Sequence, residues 1–91
     1  MDETRLSRVR FRAWRRGFRE ADLILGPFAD RHVRAMTDGE LDRFESLLEQ
    51  SDHDIYGWIM GSLPIPAAFD DDLMARLRAF RPGEAAGLGG G

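Results

Sequence analysis

The five residues Arg16-Gly17-Phe18-Arg19-Glu20 concentrate more chemistry than any other part of this 91-residue chain. With Arg15 they set strong hydrogen-bond donors and one carboxylate around a glycine. Guanidinium and carboxylate groups make charge-assisted hydrogen bonds, so such a corner is suited to gripping polar groups of another molecule. Glycine carries no Cβ and lets a second backbone come close. Charges gathered around one hinge cost little in water and gain much when a partner desolvates them. The run also has a purely intramolecular reading: Gly17 closes one helix, Arg16 complements that helix's dipole, and Glu20 opens the next.

Five helices and no strands are expected to position this corner. The first spans about residues 4–16, with Leu6, Val9 and Ala13 at i, i+3, i+7 spacing. Phe11 and Trp14 form a second apolar strip, and Arg5, Arg8, Arg12 and Arg15 occupy the opposite face. Gly17 ends the helix in the left-handed conformation. The second helix spans about residues 20–35 and buries Ala21, Ile24, Leu25, Phe28, His32 and Val33. Pro27 removes a backbone donor and clashes with the Leu23 carbonyl, which predicts a kink.

Thr37-Asp38-Gly39-Glu40 reads as a capping box for a third helix, whose apolar face is Leu41, Phe44, Leu47 and Leu48. Ser51 or Asp52 caps a short fourth helix, with Ile55, Trp58 and Ile59 inward and Gly61 at its end. Pro64-Ile65-Pro66 makes a stiff connector. Asp70 is expected to cap the fifth helix, which turns Leu73, Leu77 and Phe80 to the core. Residues 82–91 contain five glycines and little to bury, which reads as a disordered tail after a single helical domain over 1–81. The fold class is therefore all-α, a compact five-helix bundle with a kinked second helix.

Most catalytic chemistries lack their parts. The chain has no cysteine, hence no disulfide and no thiolate. Neither histidine is spaced suggestively from a serine; His32 falls on the inner face of the second helix and His53 follows a helix cap, where it is exposed. Asp70-Asp71-Asp72 cannot converge on one ion, because consecutive helical residues point about 100° apart. No catalytic residue and no metal site is assigned. No stretch approaches the roughly 20 apolar residues of a membrane span. The Arg-rich start runs into the junction and reads as part of the fold rather than a transit segment.

The formal net charge of −3 hides an asymmetry: residues 1–36 carry +4 and residues 37–91 carry −7, and all thirteen basic residues are arginine. The basic half can meet an acidic partner, or the two halves can face solvent or each other. The arginine stripe of the first helix admits a second function, a nucleic-acid-binding or regulatory domain with Phe11 and Trp14 stacking on bases. Against it stand the acidic balance and the separation of the aromatics from the arginine face.

Arg16-Gly17-x-x-Glu20 resembles the RGxxE signature of the succinate dehydrogenase flavinylation factors of bacteria and mitochondria. The order of later segments agrees: Thr37-Asp38-x-Glu40-Leu41, then Asp54-Ile55-Tyr56-Gly57-Trp58, then Pro64-Ile65-Pro66, then Leu77-Arg78-x-Phe80. The likeness covers about residues 5–81. It implies a small five-helix assembly factor that binds the flavoprotein subunit of succinate dehydrogenase, and in some bacteria of fumarate reductase, and promotes covalent attachment of FAD there. It implies a partner-binding surface at Arg16, Gly17 and Glu20, flanked by Arg15, Phe18 and Arg19, with Trp14, Phe11 and Tyr56 as apolar anchors. Phe18 fills a position that is often Met, and Ala21 one where a larger apolar residue is common. The expectations that follow are a non-enzyme without a tightly bound cofactor, a monomer when free, acting in the bacterial cytoplasm and binding no nucleic acid.

Overall fold

A computed structural model describes residues 3–80. The segment 82–91, read above as a tail, lies outside the described residues. The chain runs α1 (Glu3–Trp14), α2 (Arg19–His32), α3 (Asp38–Leu48), α4 (Asp52–Met60) and α5 (Asp72–Ala79), with 3₁₀ turns at Val33–Ala35 and Ala67–Phe69. No strand occurs among the described residues.

Leu6, Val9 and Ala13 are all buried and lay α1 along α2. The Trp14 indole meets Gly26 closely; a Cβ at residue 26 would stand 2.2 Å from indole Cδ2. Trp14 Nε1 donates to Asp30 Oδ2 at 3.1 Å, so the ring is held at both its body and its polar tip. The expected ends of these helices need correction. α1 stops at Trp14, two residues early, and α2 starts at Arg19 and gives way to the 3₁₀ turn after His32. The reason at the first end is local: the Arg16 N–H donates to the Asp22 carboxylate instead of to a helix carbonyl. Pro27 lies inside α2 without ending it.

α2 packs against α1, α4 and α5. Its buried face is Ala21, Leu25, Gly26, Phe28 and Ala29. Ile24 and His32, expected within that stripe, are only half-buried, packed against the edge of the core. Phe28 anchors the centre, with Phe44 at 5.8 Å and Phe80 at 5.5 Å between ring centroids.

α3 opens on the expected capping box: Thr37 Oγ1 accepts from the Glu40 N–H, and Glu40 Oε1 accepts from the Thr37 N–H. Ser51, not Asp52, caps α4, accepting from the Asp54 N–H. Gly61 ends α4 with φ +85°, as its type suggested. Asp71 rather than Asp70 caps α5, accepting from the Met74 N–H. Asp70 instead ends the 3₁₀ turn Ala67–Phe69, whose Phe69 ring stacks on Trp58 at 5.3 Å. That short turn has too few residues to show a period, so the sequence alone reads it as connector.

The charge asymmetry is partly resolved inside the fold. Arg5 bonds Asp42 and Glu45 on α3, and Arg16 bonds Asp52 on α4. Two arginines of the basic half thus meet acids of the acidic half.

Candidate functional site

The corner between α1 and α2 turns on Gly17, which has φ +86° and open space where a Cβ would stand. This is backbone that L side chains rarely adopt, so the glycine is required by conformation and not by crowding. Phe18 sets the first turn of α2 without a side-chain cap, and its carbonyl accepts from the Asp22 N–H at 2.9 Å. Asp22 reaches back to the Arg16 N–H at 3.0 Å. The two ends of the junction are therefore tied to each other.

Arg16 corrects the sequence reading most sharply. It does not point at solvent; its side chain is 10% exposed. Nε donates to Asp52 Oδ1 at 2.5 Å, one Nη to the Leu48 carbonyl at 2.6 Å and the other to the Gln50 carbonyl at 2.7 Å. Carbonyls at a helix C-terminus lack intrahelical donors, and the guanidinium fork satisfies the Leu48 carbonyl at the end of α3 and the Gln50 carbonyl in the turn that follows. A cation there also complements the α3 dipole. Arg16 thus clamps the α1–α2 junction to the α3–α4 junction, and it is engaged before any partner arrives.

The outward groups are Arg15, Gly17, Arg19 and Glu20, all exposed. Glu20 and Arg19 make no hydrogen bond or ion pair among the described residues. Phe18 is half-buried between His53, edge-on at 5.0 Å, and Tyr56 at 5.2 Å. The three expected anchors part company. Tyr56 joins Phe18 at the corner. Trp14, 38% exposed, is committed to Gly26 and Asp30. Phe11, 59% exposed, lies under the Arg15 guanidinium at 4.9 Å, away from Glu20 along α1.

His53 and Asp52 are the residues that sequence reasoning missed at this site. Both come from the Ser51-Asp52-His53-Asp54 segment, which reads as a helix cap. The only hint was an acid-rich second half facing an arginine-rich first half. The arginine stripe is also broken, since Arg5 is neutralised by two carboxylates.

Elsewhere, His32 packs on Phe28 and Phe80, away from the corner. Burial, then the nearby Arg76 and Arg31 charges, hold its pKa below the ordinary histidine value. Among the described residues no group of three or more His, Asp or Glu could hold a metal ion. No described helix is long and apolar enough to cross a membrane.

A profile of the family described as "Flavinator of succinate dehydrogenase" matches residues 7–81, most of the chain. The chain belongs to this flavinator family. Among its relatives is the FAD assembly factor SdhE of Acetobacter pasteurianus, 34% identical over 73 residues, covering 80% of this chain and 67% of that protein. The mitochondrial succinate dehydrogenase assembly factor 2 of Mycosarcoma maydis is 40% identical over 65 residues, 71% of this chain and 27% of the relative. The corresponding Candida glabrata protein is 35% identical over 78 residues, 81% of this chain and 51% of the relative. The chain therefore spans only about a quarter to a half of the length of these mitochondrial relatives. All the candidate residues of this flavinator-family chain, from Phe11 to Tyr56, fall within the matched span.

Proposed function

We propose that this flavinator-family chain is an assembly factor that binds the flavoprotein subunit of succinate dehydrogenase and promotes covalent attachment of FAD to it. The contact surface is Gly17, Phe18, Arg19 and Glu20 with Tyr56 and His53 beside them. The observation that carries this reading is Glu20: an exposed carboxylate without a partner among the described residues, close after a left-handed glycine, on a junction that Arg16 ties to the α3–α4 turn. The names of the relatives support the partner, since they are described as factors for succinate dehydrogenase or FAD assembly.

The chain's part is positioning. Gly17 admits the partner's backbone, Glu20 and Arg19 take its polar groups, and the Phe18–Tyr56 surface covers apolar area. A rigid helper that binds the flavin-ready arrangement of a mobile partner raises its population in proportion to the difference in affinity. Holding reacting groups in place then lowers the barrier without a catalytic side chain from the helper. FAD is here the partner's substrate and is not held tightly by this chain. The helper works as a monomer, in bacteria in the cytoplasm, and fumarate reductase is a second client.

The test is co-expression of the flavoprotein subunit with the chain or with Glu20→Ala, read by in-gel flavin fluorescence of the denatured subunit. Glu20→Ala should lower covalent flavin while changing stability by only about 0.3–1 kcal/mol, the range for an exposed first-turn acid. Full fluorescence beside a folded Glu20→Ala chain overturns the reading.

A further inference from the structure

The arginine stripe is only partly explained by the fold and by the Glu20 corner. Arg5 and Arg16 are engaged by carboxylates and carbonyls. Arg12 and Arg15 make no ion pair or hydrogen bond among the described residues. Arg12 stands in the last turn of α1 and Arg15 just past its end at Trp14. With Phe11 and Arg16 they form one wall of a cleft of about 310 Å³, whose other wall is the α3–α4 turn at Ser51 and Asp52. Asp52 is paired with Arg16, so the cleft keeps the two positive charges of Arg12 and Arg15. The Arg15 guanidinium sits over the Phe11 ring at 4.9 Å, and a guanidinium offers a planar fork of N–H donors that matches a carboxylate. Phe11 adds an exposed apolar surface beside them.

This wall suits spaced carboxylates better than phosphate. At the start of α4 the Ser51 side chain and carbonyl accept from the Asp54 and Ile55 N–H groups. The backbone groups turned inward are the Leu48 and Gln50 carbonyls, which face Arg16.

We infer that the Phe11–Arg12–Arg15 cleft is a second docking site, which takes an acidic segment of the flavoprotein subunit, with carboxylates on Arg12 and Arg15 and an apolar side chain on Phe11. The inference rests on the partner proposed above. Residues 17–20 do not line the cleft, so the two contacts are separable by mutation.

The experiment measures binding of the purified chain to the immobilised apo flavoprotein subunit at about 0.05 and about 0.5 M salt, where screening differs severalfold in range. The unmodified chain should bind more weakly at high salt. Arg12→Gln/Arg15→Gln should bind about tenfold more weakly at low salt, with most of that difference gone at high salt. Glu20→Ala should keep the salt-dependent component. No binding by the unmodified chain overturns the partner reading and this inference together. Salt-independent binding, or a double variant that matches the unmodified chain, overturns this inference alone. Micromolar inorganic pyrophosphate or a short single-stranded oligonucleotide displacing the subunit would assign the cleft to phosphate and equally overturn it.

Discussion

The Trp14 indole rests on the backbone of Gly26, nearer than any side chain at residue 26 would permit. This contact sets the distance between α1 and α2 just before they meet at the Gly17 corner. Gly26→Ala improves helix propensity by up to about 1 kcal/mol, but its methyl overlaps the ring and must displace it. The net result should be a loss of about 1–2 kcal/mol, read as a lower melting temperature. The Trp14–Asp30 hydrogen bond should break with it, and a larger share of tryptophan fluorescence should become accessible to a collisional quencher. Trp58, buried against Phe69, supplies the unquenched remainder.

Arg16→Ala leaves the Asp52 carboxylate and the Leu48 and Gln50 carbonyls without their Arg16 donor. The expected cost is about 2–4 kcal/mol, since charge-assisted bonds in a nearly buried position are lost together. In a domain of this size that corresponds to a melting temperature roughly 10–30 °C lower. Arg16→Ala made in an Asp52→Ala background should cost less than in the unmodified chain, by about 1 kcal/mol or more. A surface arginine used only for docking would give no change in melting temperature and no coupling.

Gly17→Ala should cost about 1 kcal/mol, the penalty for a side chain in left-handed backbone, because no atom lies within 4 Å of the new methyl. Gly17→Arg should cost about as much in stability and far more in covalent flavin on the partner. The pair separates backbone strain, which both share, from obstruction of the partner, which only the long side chain causes. Equal loss of flavinylation by both variants at matched folded fraction would contradict the close approach at Gly17.

Acidification should destabilise the fold through His32. Its folded-state pKa is held below 6.5, first by burial and then by Arg76 and Arg31. The unfolded chain therefore takes up this proton at higher pH than the folded chain. The associated stability is complete above the unfolded value and is lost as pH falls through 6.5 towards the folded value. Melting temperature should fall between about pH 7.5 and about pH 5.5, and His32→Gln should flatten that part of the curve. At lower pH a second loss follows as Glu40 is protonated, because the Thr37 N–H and Arg76 stabilise its charged form.

Local chemistry in the sequence was enough to determine the helices and most of their ends. The Thr37–Glu40 box and the glycine at 61 act through neighbours within a few residues, so type and spacing suffice, whereas the sequence left Ser51 and Asp52 both open as the α4 cap and put the end of α1 two residues late. The apolar period likewise picked out Leu6, Val9, Phe28, Phe44, Ile55 and Leu77, because one face of a helix can be buried only if it is continuous. Family membership was legible for a related reason: signature segments keep their order along the chain. The direction of each arginine was not legible. Arg15, Arg16 and Arg19 look alike in the sequence, yet Arg16 turns inward because the end of α3, about 32 residues later, presents carbonyls that need a donor. Arg5 is neutralised and Arg12 and Arg15 are not, since only Arg5 lies opposite the Asp42 and Glu45 carboxylates. Such pairings depend on how helices pack, and packing distance is set by contacts such as Trp14 on Gly26 that no local pattern announces.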